Sequence, residues 1–372
     1  MTDLFLSVFK FRPALFGGFF ASSLLFGMSI DSTALKAAET ECAQSPPAAI
    51  HWPTKAVTRV NEDNYALAET QVIFADYVKK IAKNTCSDGV GVFWHMKGAM
   101  DPNDRTILRP NFDTLYSALV LDLSRPATIS MPGTKGRYQS ALVVSEEHYM
   151  PMTITSPGAF TLTQKNVGTP YVLVIFRTGV NMRDPADMAK ASALQDQLGV
   201  YQTKRGSYNP TNNWDMDQIL AMRKKVQEVF DREGFKSEDI FGKKGELTAD
   251  QHRAGVAIGW GGLPKEQAVY PFYTPTFEGP NVLTLKDVPV DGFWSITVYD
   301  KDGFVQGDAY NINSAFAKAN ADGAYVIHFG GEPSQSNYLG IYPGWNFVLR
   351  MYQPQKAYFD GSWQLPELVP VR

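Results

Sequence analysis

The pattern of apolar and polar positions divides this chain into strand-like and helix-like stretches. Trp294, Ile296 and Val298 alternate with Ser295, Thr297 and Tyr299, the period of two of a half-buried strand, and Asp300-Lys-Asp-Gly303 closes it with turn chemistry. Phe293 to Tyr299, Tyr325 to Phe329 and Phe347 to Tyr352 therefore read as strands, and the chain from Val282 onward is strand-rich. Nearer the N-terminus, Leu115 to Leu123, Tyr138 to Ser145 and Tyr171 to Arg177 read the same way. Pro126, Pro132-Gly133, Pro157-Gly158 and Thr169-Pro170 separate them.

Helical spacing appears in two places. Asn61 is the expected N-cap of a helix running to about Lys83, with Ile73, Tyr77 and Ile81 on one side. Asp184-Pro-Ala-Asp187 places a cap, a first-turn proline and an acid at a second helix start. Asp215 to Glu233 is amphipathic through Ile219, Val226 and Phe230, and Thr248-Ala-Asp-Gln251 is a capping box opening a helix that ends near Gly259. Short strands with frequent turns favour sandwiches or jelly rolls over βαβ units.

The expected fold class is mainly β with a helical insert (α+β), two β-sandwich or jelly-roll-like domains joined by a helical segment. The expected divisions are a signal peptide (1–38), a leader (39–60), an N-terminal β-rich domain with a leading helix (61–183), a helical insert (184–262) and a C-terminal β-sandwich (263–372). The signal rests on Lys10 and Arg12 ahead of an apolar run from Ala14 to Met28, followed by Ser32-Thr-Ala34 and Ala37-Ala38. That run is shorter than the roughly 20 residues of a membrane-spanning helix. The expected location is periplasmic or secreted, with no stable membrane span after cleavage and a retained anchor as the alternative.

With 372 residues, 44% of them hydrophobic, the chain can bury substantial cores. A net charge of −3 lacks the basic excess that phosphate neutralisation needs, so nucleic acid is not an expected partner. The two cysteines, Cys42 and Cys86, either form one disulfide or remain two thiols, and they are too few for a cysteine-based metal centre. No dinucleotide fingerprint, phosphate loop, His-Glu-x-x-His or Gly-x-Ser-x-Gly is present.

Candidate chemistry concentrates in the N-terminal half. In Ser145-Glu-Glu-His-Tyr149, a continued strand would put Glu146 and His148 on one face, as a proton-transfer pair or part of a metal site that His95 or His328 would have to complete. Arg109, Asn111, Asp113 and Tyr116, with Arg137, form a second constellation suited to an anionic substrate. The catalytic candidates are His148, Glu146, Glu147, Asp113 and Tyr116, and the substrate-binding candidates are Arg109, Arg137 and Asn111. No cofactor is identified, a divalent metal at His148 and Glu146 being the candidate. Trp260, Trp294, Trp345 and Trp363, with Tyr299 and Tyr352, offer aromatic surface for a sugar, although alternation places Trp294 in a core. Asp300-Lys-Asp302 lacks the spaced acids of a calcium loop and reads as a turn.

The chain resembles a bacterial family built from two adjoining domains of unknown function, numbered 1254 and 1214. The first resemblance rests on Arg109-Pro-Asn-Phe-Asp-Thr-Leu-Tyr-Ser117, Asp122-Leu123, Gly136-Arg-Tyr138, Glu147-His-Tyr149 and Leu194-Gln-Asp196. The second rests on Gly259-Trp-Gly-Gly-Leu-Pro264, Val288 to Tyr299, Pro343-Gly-Trp-Asn346, Arg350-Met-Tyr352 and Asp360-Gly-Ser-Trp363. It implies a two-domain, largely β, often exported protein. Asn337-Tyr-Leu-Gly340 departs from the Asn-Cys-Leu-Pro common in relatives. Two functions are expected: an exported enzyme of unassigned activity, a hydrolase or lyase acting on a small polar or anionic substrate through a His/carboxylate site; or a non-catalytic binding protein for sugars or small acids. A small-molecule or sugar ligand is the expected partner, and a homo-oligomer is a candidate state.

Overall fold

The computed structural model describes residues 50–371 apart from 52, 54, 55 and 104–108. The expected signal, much of the leader and Cys42 lie outside the described residues; Cys86 is disulfide-bonded. Helix α1 (Tyr65–Thr85) leads. Its expected cap, Asn61, instead makes a turn, its Oδ1 accepting from the amides of Asp63 (3.0 Å) and Asn64 (3.2 Å), and Asn64 stands at the N-cap. Strands β1 (Trp94–Met96), β2 (Thr114–Asp122), β3 (Ala127–Met131), β4 (Gln139–Ser145), β5 (Met152–Ile154) and β6 (Gly158–Leu162) follow. After them come the one-turn helix α2 (Gln164–Val167), β7 (Tyr171–Gly179), α3 (Pro185–Gln195), β8 (Gly199–Gln202), α4 (Met216–Glu233) and α5 (Ala249–Ile258).

The remaining strands are β9 (Ala268–Val269), β10 (Phe272–Tyr273), β11 (Asn281–Leu285), β12 (Trp294–Tyr299), β13 (Asn311–Asn313), β14 (Tyr325–Phe329), β15 (Tyr338–Leu339) and β16 (Asn346–Tyr352). A one-turn helix α6 (Lys356–Phe359) and β17 (Val369–Pro370) close the chain. The protein is mostly β, in several largely antiparallel sheets, and among the described residues none closes into a barrel. No helix among them is long and apolar enough to cross a membrane.

The N-terminal sheet runs β1-β2-β7-β4-β5. Side chains alternate across a strand, so one face carries Leu119, Leu121, Ala141, Val143, Val172 and Val174, which meet Ala127, Ile129 and Met131 of the small sheet β6-β3-β8. The opposite face carries Ala118, Val120, Leu142, Val144, Leu173 and Ile175, which pack under Phe74 and Val78 of α1, Val226 of α4 and Ala254 of α5. The helical segment expected between the β regions is thus a cover on this sheet. Each buried Val, Leu, Ile or Met side chain here contributes about 1.5–3 kcal/mol relative to exposure.

In the C-terminal region, β10-β16-β12-β13, with β9 on β16, faces the sheet β15-β14-β11-β17. Trp294, Ile296, Val298, Phe347, Leu349 and Met351 fill the space against Leu283, Leu285, Ile327 and Phe329. The other face of β12 and β16 is also covered, and all six residues of β12 are buried.

Candidate functional site

The helix-covered face of the N-terminal sheet changes chemistry at one end. Where α1, α4 and α5 give way to the C-terminal region, the apolar rows are followed by a row that crosses four strands: Met96 opposite Tyr116, Tyr116 opposite Arg177, and Arg177 opposite Ser140. Period-two alternation places Tyr116 and Arg177 on the side that carries Ala118 and Ile175. The Arg177 guanidinium lies 5.4 Å from the centroid of the Tyr116 ring. Its Nη2 donates to the carbonyl of Gly261 (2.9 Å), while Nη1 is buried without a hydrogen-bond partner.

Arg177 is only 7% exposed, and among the described residues no ion pair engages it. Burial disfavours its charge, but Tyr116, Tyr270 and Tyr138 more than offset this and raise its pKa. Tyr116 answers in the other direction. Burial would raise its phenol, yet Arg177 and the hydrogen bonds of Asn111 and Thr114 bring it below the usual value, the Asn111 Nδ2 donating to Tyr116 Oη at 3.0 Å. The cause is the adjacent cation, which favours the phenolate.

Aromatic side chains surround this pair. Tyr138 donates to Ser140 Oγ (3.0 Å), and its ring meets those of Phe293 and Tyr352, each with centroids 5.2 Å away. Burial raises the phenols of Tyr77 and Tyr270 to about 12. Tyr77, Tyr116, Tyr138 and Tyr270 are enclosed by protein, yet each keeps part of its surface accessible. They therefore form a half-buried aromatic cluster around Arg177.

Beside it, a second polar network joins the start of β2 to the outer face of β12. Asp113 accepts from Ser295 Oγ (2.5 Å) and Asn311 Nδ2 (3.1 Å). Arg350 donates to Thr297 Oγ1 (3.0 Å), Tyr299 Oη (2.6 Å) and the Arg109 carbonyl (3.1 Å). Burial pushes the Asp113 carboxyl up against the pull of Arg350, Ser295, Asn311 and Asn313. Each donor here has an acceptor, which is the condition for a stable buried polar layer.

The sequence candidates separate between these places. Tyr116, Asn111 and Asp113 fall in or beside the aromatic cluster. Arg109, with φ 49°, gives its carbonyl to Arg350 and lays its guanidinium over Phe272 at 4.9 Å. Arg137 is engaged by Asp187 Oδ2 (2.9 Å) and the Gly179 carbonyl (2.7 Å), and so fastens α3 instead of facing the Tyr116 row.

The shared face expected for Glu146 and His148 does not form, because β4 stops at Ser145. The His148 amide donates back to the Ser145 carbonyl (2.9 Å), and His148 sits at φ 62°, so strand periodicity does not extend to it. Glu146 is buried and accepts from Gln71 (3.0 Å) and Tyr208 (3.2 Å), burial raising its pKa to about 7. Glu147 points to solvent and pairs with Lys244 at 2.7 Å. His148 accepts from the amide of Gly261 (3.0 Å).

Among the described residues no three His, Cys, Asp or Glu side chains converge as metal ligands. His95 bonds Ser117 Oγ at 2.8 Å, and His328 lies on β14. Of the tryptophans considered for sugar stacking, Trp294 and Trp345 are buried in the C-terminal core and Trp260 and Trp363 are half-buried. A cavity of about 560 Å³ opens at Asp122, Ser124, Arg125, Lys204, Gly206 and Ser207. It lies at the end of β2 remote from Tyr116 and shares no residue with the aromatic cluster.

Two family models match the sequence. The protein of unknown function DUF1254 matches residues 90–146, and the protein of unknown function DUF1214 matches residues 280–356. The two matches follow one another in that order along the chain. Among curated proteins, none matches. The VPA0106 protein from Vibrio parahaemolyticus shares the fold, with TM-score 0.61 and 16% identity over 84% of this chain and 98% of that one. An uncharacterized protein from Burkholderia cenocepacia superposes more loosely, with TM-score 0.44 and 13% identity over 79% of this chain and 86% of that one. The DUF1254 match contains Asn111, Asp113 and Tyr116, and the DUF1214 match contains Ser295, Asn311 and Arg350. The polar network therefore joins one matched domain to the other.

Sequence reading missed Arg177, Tyr138, Tyr270 and Tyr77. A signal existed for the first, since Arg177 ends the otherwise apolar run Tyr-Val-Leu-Val-Ile-Phe from Tyr171. A charge there requires either a partner or a purpose.

Proposed function

We propose that this protein binds a small carboxylate with an apolar or aromatic body, held by Arg177 within the half-buried aromatic cluster, with Tyr116 as the proton-transfer group. The observation that carries this reading is the buried, unpartnered Nη1 of Arg177. A buried guanidinium nitrogen without an acceptor costs about 1–3 kcal/mol, whereas a carboxylate offers a two-oxygen acceptor matched to the fork. The phenol of Tyr116, lowered by that same cation, would accept or return a proton next to the bound anion. Met96, Tyr77, Tyr138 and Tyr270 would enclose the ligand's body.

Benzoate tests the reading by titration calorimetry, with the neutral isostere benzamide as control. Benzoate is expected to bind and benzamide not to. Arg177→Met should weaken benzoate by about ten- to a hundred-fold, the range of a charge-assisted hydrogen bond. Absence of benzoate binding, or equal binding by Arg177→Met, would overturn the proposal.

A further inference from the structure

The segment Gly259-Trp-Gly-Gly262 has a geometry that links two parts of the molecule. Gly261 has φ 75°, and the Gly262 amide donates to the Gly259 carbonyl at 2.8 Å, closing a tight turn. A Cβ on Gly261 would sit 3.0 Å from Ile175 Cδ1, and one on Gly262 only 2.3 Å from Phe241 Cζ, so the turn passes close to its neighbours. At Gly261 both backbone groups are used: the amide donates to His148 Nε2 at 3.0 Å, and the carbonyl accepts from Arg177 Nη2 at 2.9 Å.

We infer that His148 is a positioning residue, which acts through the backbone of Gly261 to hold Arg177 beside Tyr116. This rests on the Tyr116–Arg177 reading above and assigns the part His148 plays in it. An amide can only donate, so Nε2 must present a lone pair and the ring proton sits on Nδ1. Nδ1 is buried with no partner, and His148 is 1% exposed, between Trp260 (centroids 5.2 Å) and Phe241 (6.4 Å). An orphaned buried donor costs about 1–3 kcal/mol, a cost borne on Nδ1 while Nε2 supplies the acceptor of the Gly261 amide. Burial, followed by His252, keeps His148 well below the usual imidazole range, and Nε2 therefore remains an acceptor at neutral pH. His252 uses its own Nε2 to donate to the Glu147 carbonyl (2.8 Å), which fixes the loop carrying His148.

The test reads Tyr116 directly, through ultraviolet absorbance of tyrosinate as pH is raised on the full chain. In the parent protein one phenol should titrate below the ordinary value of about 10, and Tyr116→Phe should remove that component. His148→Leu, matched in bulk to the buried ring, and His148→Ala should each move it up by about one pH unit or more. His148→Gln, whose Oε1 can accept from Gly261 in place of Nε2, should leave it low. If the low component survives Tyr116→Phe, the Tyr116–Arg177 reading itself fails. If Tyr116→Phe removes it but His148→Leu leaves it in place, or His148→Gln behaves as His148→Leu does, the positioning role of His148 is overturned while the pair stands.

Discussion

Replacing Asp113 by alanine isolates the energetics of the layer between the two matched domains. The substitution removes the acceptors of Ser295 Oγ (2.5 Å) and Asn311 Nδ2 (3.1 Å), and it leaves Arg350, itself 5% exposed, without its carboxylate neighbour. Leaving these two buried donors, Ser295 Oγ and Asn311 Nδ2, without an acceptor, at about 1–3 kcal/mol each, costs about 3–5 kcal/mol together. At roughly 2–4 °C per kcal/mol for domains of this size, the melting temperature should fall by about 6–20 °C. Scanning calorimetry at neutral pH, supported by urea unfolding, measures this. Asp113→Asn keeps one side-chain oxygen as an acceptor and should recover about half of the loss. A loss below about 1 kcal/mol in Asp113→Ala, or an Asp113→Asn variant no more stable than Asp113→Ala, would refute the reasoning.

Two further outcomes follow from the geometry. Glu146 is raised by burial from its ordinary 4.5 to about 7, so its stabilising contribution is full below about 4.5 and is lost as pH rises through about 7. Glu146→Gln keeps an oxygen acceptor for Gln71 and Tyr208, and should match the parent near pH 4 while exceeding it by about 3 kcal/mol near pH 8; equal urea midpoints at both pH values would contradict this. Arg137→Ala loses the contacts to Asp187 and Gly179 and should cost about 1–3 kcal/mol, as measured by urea unfolding, yet leave the low phenol titration in place.

The strands were legible because their apolar alternation is a local property. Tyr325–Phe329 coincides with β14, the expected strand 115–123 is offset from β2 by one residue at both ends, and 138–145 differs from β4 by one residue at its start. The helices were legible through their caps, Asp184, Asp215 and Thr248, each of which accepts an amide of its own first turn. What could not be read depends on register between distant segments. Arg177 becomes informative only once β7 lies against β2 and sets it opposite Tyr116. Glu146 and His148 were joined by a period that a single left-handed residue interrupts. The alternation of β12 implied a wet polar face, but Asp113 and Arg350 cover it, a contact no spacing within 294–299 announces.

That covered polar face also acts against mispairing. In most strands hydrophobic burial alone resists slippage, since a shift by one residue exchanges the two faces. Strand β12 is buried on both sides with opposite chemistry, Trp294, Ile296 and Val298 inward and Ser295 and Thr297 toward Asp113 and Arg350. A one-residue slip against β16, where Ser295 pairs with Arg350, would press Ile296 onto the Asp113 carboxylate and drive Thr297 into the aromatic core. Misregistered chains are thus penalised twice, once by apolar groups and once by charge, so that a single pairing is selected during folding.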